Sequence, residues 1–195
     1  MFIAASCILH NFLLFCCFCF AGNDNWKFEV AAADTLGCIT HTFDCTLPGN
    51  TPKRKPKRED LKFYPHCVAG HTYKDAHGRS HITYQEMLKL AEISTPPSYL
   101  KIDVEGFEYD AFSQMIQSEH SSSSHQSLLP QQIQVELHWA TRMTGIEWMP
   151  RVLSSGELAL FSSMMYQGGG YLPIHLDFDP GCSSCMEVLY YKTLC

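Results

Sequence analysis

Apolar and polar positions along this chain change period repeatedly, and the changes mark out strands and helices in alternation. Phe12 to Phe20 is a short apolar run that ends at Ala21-Gly22, the pattern of a buried strand closed by a glycine turn. Asn25 to Leu36 reads as a helix, with Asp24 or Asn25 as N-cap and Gly37 as its stop. Cys38 to Phe43 is rich in β-branched and aromatic residues and reads as a strand ending at Asp44, and Leu61 to Val68 is the next strand. Thr83 and Glu86 have capping-box spacing and open a short helix through Met87, Leu88, Leu90 and Ala91, which Pro96-Pro97 forbids from continuing.

Ser98 to Val104 gives a strand, and Phe107, Ala111 and Met115 then recur at helical spacing. The Ser-rich run Ser118 to Ser127 reads as a flexible surface loop. Gln131 to His138 alternates Ile133, Val135 and Leu137 with polar residues, as a strand does. A helix from Gly156 to Gln167 stops at Gly168-Gly169-Gly170, and Tyr171 to Leu176 and Met186 to Tyr191 form two strands joined by a turn around Asp179-Pro180-Gly181. Such alternation predicts an α/β fold: a mostly parallel sheet with helices on both faces, right-handed crossovers and a C-terminal antiparallel hairpin.

The 195 residues are 46% hydrophobic, enough for one core and not for two large ones, so residues 22–195 are expected to form one domain. Residues 1–21 stand apart and admit three readings. They could be a signal peptide or anchor, although no Lys or Arg precedes the apolar run. They could hold the first buried strand. They could also be a mispredicted start, because Phe-Leu-Leu-Phe-Cys-Cys-Phe-Cys-Phe-Ala-Gly at 12–22 is what a translated pyrimidine-rich intron end looks like. Membrane contact and a secretory-pathway location follow only from the first reading.

A formal net charge of −6 argues against a protein that coats nucleic acid, since phosphate neutralisation needs excess Lys and Arg. The basic cluster Lys53, Arg54, Lys55, Lys57 and Arg58 lies in a Pro-rich stretch and reads as a solvated loop. Ten cysteines raise the question of disulfides. Cys38, Cys45 and Cys67 sit in or beside strands and are expected as buried free thiols. Cys182 and Cys185 are a lone Cys-x-x-Cys, read as a local disulfide or two packed thiols rather than a zinc site.

Candidate chemistry lies at the carboxyl ends of the strands, where open α/β sheets bind ligands. Gly22, Asn23 and Asp24 follow the first apolar run. Asp44 comes about 20 residues later, the spacing of a carboxylate that accepts hydrogen bonds from ribose hydroxyls, or it merely ends a strand and caps a turn. Leu100-Lys101-Ile102-Asp103-Val104-Glu105-Gly106 delivers Asp103 and Glu105 to one strand end with a glycine turn behind them. Two carboxylates there can hold a cationic or amino group of a cofactor, share a metal with a third ligand, or cap a helix. Glu136 and His138 are two apart on one strand and so share a face, where His138 can act as a base or simply pack. No metal-ligand set is assigned from the sequence.

The run Leu-Lys-Ile-Asp-Val-Glu-Gly-Phe-Glu at 100–108 resembles the signature of FkbM-type methyltransferases. With Gly-Asn-Asp-Asn-Trp-Lys-Phe-Glu at 22–29, Gly-Cys-Ile-Thr-His-Thr-Phe-Asp at 37–44, Gln-Val-Glu-Leu-His-Trp at 134–139 and Gly-Cys-Ser-Ser-Cys-Met-Glu-Val-Leu-Tyr at 181–190, the ordered set is similar to the eukaryotic methyltransferase-like domain family. The resemblance implies a Rossmann-like class I methyltransferase sheet of seven strands. It also implies S-adenosylmethionine as cofactor, bound by Gly22, Asn23, Asp24, Asp44, Asp103 and Glu105. The acceptor would be a small-molecule or glycan-like oxygen or nitrogen, with Glu136 or His138 taking any proton that leaves. Such families carry a first strand and glycine loop just before the position of Gly22, where this chain has its cysteine-rich run, so an N-terminally incomplete sheet is one expectation. A domain retained only as an interaction module is the alternative to catalysis.

Overall fold

The computed structural model describes residues 24–121, 127–139, 153–178, 182 and 184–193, together with the backbone path of 16–20. Its main sheet has seven strands: β1 (Cys16–Phe20), β2 (Ile39–Phe43), β3 (Leu61–Tyr64), β7 (Tyr99–Ile102), β8 (Gln132–His138), β9 (Tyr171–Asp177) and β10 (Cys185–Lys192), in the order β3-β2-β1-β7-β8-β10-β9. The five strands from β3 to β8 pair in parallel, and β10 runs antiparallel to both β8 and β9. A second sheet, unexpected from the sequence, is built from β4 (Cys67–Val68), β5 (Tyr73–Lys74) and β6 (Ser80–Ile82). There β4 and β6 are parallel while β5 and β6 are antiparallel, so the sheets are mixed rather than mostly parallel. The strand expected over Leu61 to Val68 is broken at Pro65, which has no amide hydrogen for a ladder.

Within the N-terminal run, Cys16–Phe20 form β1, which lies between β2 and β7 at the centre of the sheet. Four helices cover the faces: α1 (Lys27–Leu36), α2 (Tyr84–Leu90), α3 (Glu108–Ser121) and α4 (Ser155–Ser163). Ala32 and Ala33 of α1 pack with Cys38, Tyr99 and Leu61. Leu100 and Ile102, which point the other way from Tyr99 along β7, pack with Met87 of α2, Phe112 and Met115 of α3, and Phe161 of α4. The result is a three-layer domain whose main core lies under α2, α3 and α4.

Local chemistry sets the helix ends. Gly37 adopts φ 64° and donates its N–H to Ala33, the left-handed stop that glycine permits without strain. Thr83 and Glu86 form the expected capping box. A second box, Ser154 with Glu157, starts α4 ahead of the expected Gly156. Helix α3 extends to Ser121, into the run read as loop, because serine in a last turn can return a hydrogen bond to the backbone, as Ser121 Oγ does to Gln117. Residues 122–126 of that run, and the turn at Asp179 to Gly181, lie outside the described residues.

The cysteine expectation needs correction. Cys45 and Cys67 are joined in a disulfide that ties the end of β2 to β4, and Cys182 is bonded to Cys185. The strand order explains the first pair: residues 22 apart in sequence are brought together because β3, between them, returns beside β2. Cys38 is the free buried thiol expected, with its Sγ 3.3 Å from the carbonyl of Ala32.

Candidate functional site

Strand register sets a row of carboxylates across the carboxyl edge of the main sheet. Phe20 of β1 pairs with Phe43 on one side and Ile102 on the other, and Ile102 pairs with Val135. Asp44, Asp103 and Glu136 each stand one residue beyond these partners, so they share one level, and Glu187 faces Glu136 from β10. Asp44 and Asp103 flank the end of β1 at two strand spacings, roughly 10 Å. Between β1 and β7 the chain reverses the direction in which it adds strands, and an open α/β sheet binds its ligand at such a point.

The side chains along this edge form two groups. On the β2 side, a small pocket is lined by Asp24, Trp26, Glu29, Thr42, Asp44 and Phe63 among others. Asp44 is 2% exposed. Its Oδ1 accepts from the amide and hydroxyl of Thr46 at 2.7 and 2.6 Å, while Oδ2 is buried and has no partner among the described residues. A carboxylate oxygen held out of water without a donor is costly, and a ligand hydroxyl would relieve the cost.

Asp24 lines the same pocket, with φ 56°, but its oxygens are already engaged. Oδ1 accepts from Trp26 Nε1 at 2.9 Å, and Oδ2 accepts the amides of Lys53 and Arg54, both at 3.0 Å. It therefore fastens the basic loop to the rim. The loop is further closed by Arg58, which pairs with Asp34 at 2.6 Å and Asp60 at 2.7 Å. Gly22 and Asn23 lie outside the described residues.

On the β7–β8 side, His138 is the centre of the second group. Its side chain is 7% exposed; Nδ1 lies 3.0 Å from Oε1 of Glu108, and Nε2 lies 3.5 Å from both Glu105 Oε2 and Glu136 Oε1. Glu108, at the start of α3, is fully buried and also accepts the amide of Val104 at 3.0 Å, so one carboxylate oxygen ties the strand-end turn to the imidazole. The turn itself is tight: Glu105 adopts φ 55° and Gly106 φ 103°. A non-glycine residue in that region carries backbone strain of about 1–2 kcal/mol, compensated by its surroundings.

Charge in this group is strongly coupled. Burial draws His138 down, but the hydrogen bond from Glu108 and the charges of Glu108, Glu105 and Glu136 outweigh it and push the imidazole up to about 9. Glu136 is pushed up to about 7, first by burial and then by Asp103, with His138 opposing and Glu187 and Glu105 adding to the rise. Cys185 Sγ lies 2.7 Å from Glu136 Oε1.

The structure thus brings Asp24 and Asp44 together at one pocket, and Asp103, Glu105, Glu136 and His138 together at a neighbouring cluster; Asp103 does not line the Asp44 pocket. Sequence reasoning missed Glu108, which stood in the quoted 100–108 run without a role. It also missed Glu29 and Thr42, whose inward direction depends on how α1 and β2 face each other. For Glu108 the signal was readable: an acid three residues after Glu105 in a first helical turn can reach back to the preceding turn.

No protein-family model matches this sequence, and no curated protein matches it. Solved structures do match its fold. A variant of the 16S rRNA (adenine(1408)-N(1))-methyltransferase from Catenulisporales acidiphilia aligns with a TM-score of 0.52 and 7% identity over 92% of this chain and 85% of that one. Fibrillarin, in its complex with Nop5p, aligns with a TM-score of 0.52 and 7% identity over 92% of this chain and 73% of that one. The plantazolicin methyltransferase BamL, in complex with a triazolic desmethylPZN analog and SAH, aligns with a TM-score of 0.50 and 9% identity over 91% and 77%. Identities this low speak to fold alone: this chain shares an α/β fold with these proteins.

Proposed function

We propose that this chain is an S-adenosylmethionine-dependent methyltransferase of the FkbM-type or eukaryotic methyltransferase-like kind, acting on an oxygen or nitrogen of a small-molecule or glycan-like acceptor. The observation that carries the proposal is the buried, unpartnered Oδ2 of Asp44 in a pocket beside the end of β1. A ribose offers two adjacent hydroxyls to such a carboxylate. The pocket is far smaller than a whole ligand site, so only the ribose end of the cofactor is assigned to it. Gly22 and Asn23 remain proposed cofactor contacts on the sequence resemblance alone, and Asp24 holds the rim in place. Asp103 and Glu105, across the end of β1, face the methionine end.

In the reaction the acceptor's lone pair attacks the methyl carbon, the carbon–sulfur bond breaks with its electrons going to sulfur, and S-adenosylhomocysteine leaves. Where the acceptor carries a proton, the Glu136–His138 pair takes it, as a coupled pair rather than as one residue. Alignment of acceptor and methyl group supplies most of the acceleration. Calorimetry of the full chain with S-adenosylhomocysteine tests the reading: one site per chain supports it, and no heat at millimolar ligand overturns it.

A second reading, a fold retained as an interaction module, is favoured by Leu172, Ile174, Leu176 and Phe178, which are 40–65% exposed along edge strand β9. Cofactor binding without methyl transfer to any acceptor class would select it.

A further inference from the structure

We propose that Asp103, Glu105 and His138 together hold a divalent first-row transition-metal cation, which receives an acceptor oxygen beside the methyl group. This deepens the methyl-transfer reading and rests on it for the role of the ion, though not for its binding. One ligand atom from each of the three residues lies within 4.8 Å of the others. Two of the residues come from the turn after β7 and the third from the end of β8, strands that are adjacent and in register.

The imidazole points to a ligand independently of the acids. Its Nδ1 is committed to Glu108, a fully buried carboxylate anchored in turn by the Val104 amide, which leaves Nε2 between Glu105 and Glu136, 3.5 Å from each. A carboxylate gripping the far nitrogen is how proteins orient a metal-binding histidine. Nε2 itself makes no hydrogen bond among the described residues, although the side chain is only 7% exposed.

Distance separates an ion site from a plain ion pair. A charge-assisted N–H···O bond closes to roughly 2.7–2.9 Å, whereas Nε2 and Glu105 Oε2 stand 3.5 Å apart. Ligands about 2.1 Å from a tetrahedral ion are roughly 3.4 Å from each other. The charge count agrees. Among the described residues, Asp103, Glu105, Glu108 and Glu136 make no ion pair with Lys or Arg, and one imidazole stands against four carboxylates. The donor set of two carboxylates and one imidazole suits Mn²⁺ or Zn²⁺ better than the all-oxygen preference of Mg²⁺ or Ca²⁺. The two cysteine-containing groups, Cys45 and Cys67 with His81 and Cys185 with Glu136 and His138, have their sulfurs engaged in disulfides.

An ion there would lower the pKa of a bound acceptor hydroxyl. The proton would pass to Glu136, the oxygen would attack the methyl carbon, and the sulfonium bond would break onto sulfur. The ion thereby selects hydroxyl-bearing acceptors over amines.

The full chain, stripped with EDTA and exchanged into metal-free buffer, is titrated with MnCl₂ while free Mn²⁺ is followed by electron paramagnetic resonance. ZnCl₂ serves as competitor. The expected result is one Mn²⁺ per chain, displaced by Zn²⁺, with affinity reduced at least about 10-fold in Glu105→Gln, which keeps the volume of a half-buried side chain, and again in Glu108→Gln. A folded chain that takes up neither ion at millimolar concentration overturns the proposal. So does stoichiometric binding that Glu105→Gln and Asp103→Asn both leave unchanged. Calorimetry with S-adenosylhomocysteine in EDTA keeps the two claims apart: nucleoside binding without metal uptake removes the ion alone, and metal uptake without nucleoside binding removes the methyltransferase reading alone.

Discussion

Glu108 offers the sharpest test of how this site is built. It is fully buried, and one oxygen accepts both the Val104 amide and His138 Nδ1, each at 3.0 Å. Replacement by Ala strands a buried amide and removes one partner of a buried charged pair, a loss of about 3–5 kcal/mol. Glu108→Gln keeps the volume and an accepting oxygen but loses the charge; since hydrogen bonds to charged groups contribute about 1.5–3 kcal/mol and neutral ones about 1, the loss is about 1–2 kcal/mol. Against a total of about 5–15 kcal/mol for a domain, the Ala variant is near the limit of folding. At about 2–4 °C per kcal/mol for this size, Gln lowers Tm by about 2–8 °C and Ala by about 6–20 °C. Equilibrium urea unfolding followed by tryptophan fluorescence measures both. If Gln equals wild type within about 0.5 kcal/mol, or Ala is no worse than Gln, then Glu108 does not hold the imidazole and the site's organisation has been misread.

Three further outcomes are expected. Asp44→Asn keeps Oδ1 for Thr46 but puts a donor where Oδ2 stood; S-adenosylhomocysteine affinity should fall at least about 10-fold, a loss of about 1.4 kcal/mol, with little change in Tm. His41 is pushed down to about 4, first by burial and then by Lys62. Because its value is lowered on folding, the stability it contributes is complete above pH 6.5 and is lost as pH falls from 6.5 toward 4. That loss is at most about 3 kcal/mol, less whatever solvent screens, and a His41→Gln variant with the same stability-versus-pH slope as wild type across that window would refute it. Opening the Cys45–Cys67 bridge as the Cys45→Ser, Cys67→Ser pair frees a loop of 22 residues' separation and should lower stability by about 3 kcal/mol, read as a Tm drop, with dithiothreitol then lowering Tm by less than it does in the wild-type chain.

Much of this architecture was legible because the signals are local. Alternation along Ile133, Val135 and Leu137, the capping box at Thr83 and the stop at Gly37 each act over a few residues, and each recurs in the fold. The small sheet escaped because its strands are two or three residues long, too short to show a period. The disulfide escaped because pairing depends on which strands become neighbours, which spacing does not encode. At the site, Glu136 and His138 were readable from their i, i+2 relation, and their atoms do meet at 3.5 Å. The separation of Asp44 from the Asp103 cluster was not readable, since it depends on the strand inserted between β2 and β7. Asp24 shows the same limit: that its oxygens meet Trp26, Lys53 and Arg54 depends on the basic loop returning to it, which spacing does not encode.

The central claim is that the carboxyl edge between β2 and β7 holds a nucleoside, with Asp44 as the ribose acceptor. A crystal structure of the full chain grown with S-adenosylhomocysteine measures it directly. The account predicts a ribose hydroxyl within about 3.2 Å of Asp44 Oδ2 and the thioether sulfur on the Asp103 side of β1. Ligand bound at another face, or an Asp44 Oδ2 still without a donor beside a bound nucleoside, would contradict it.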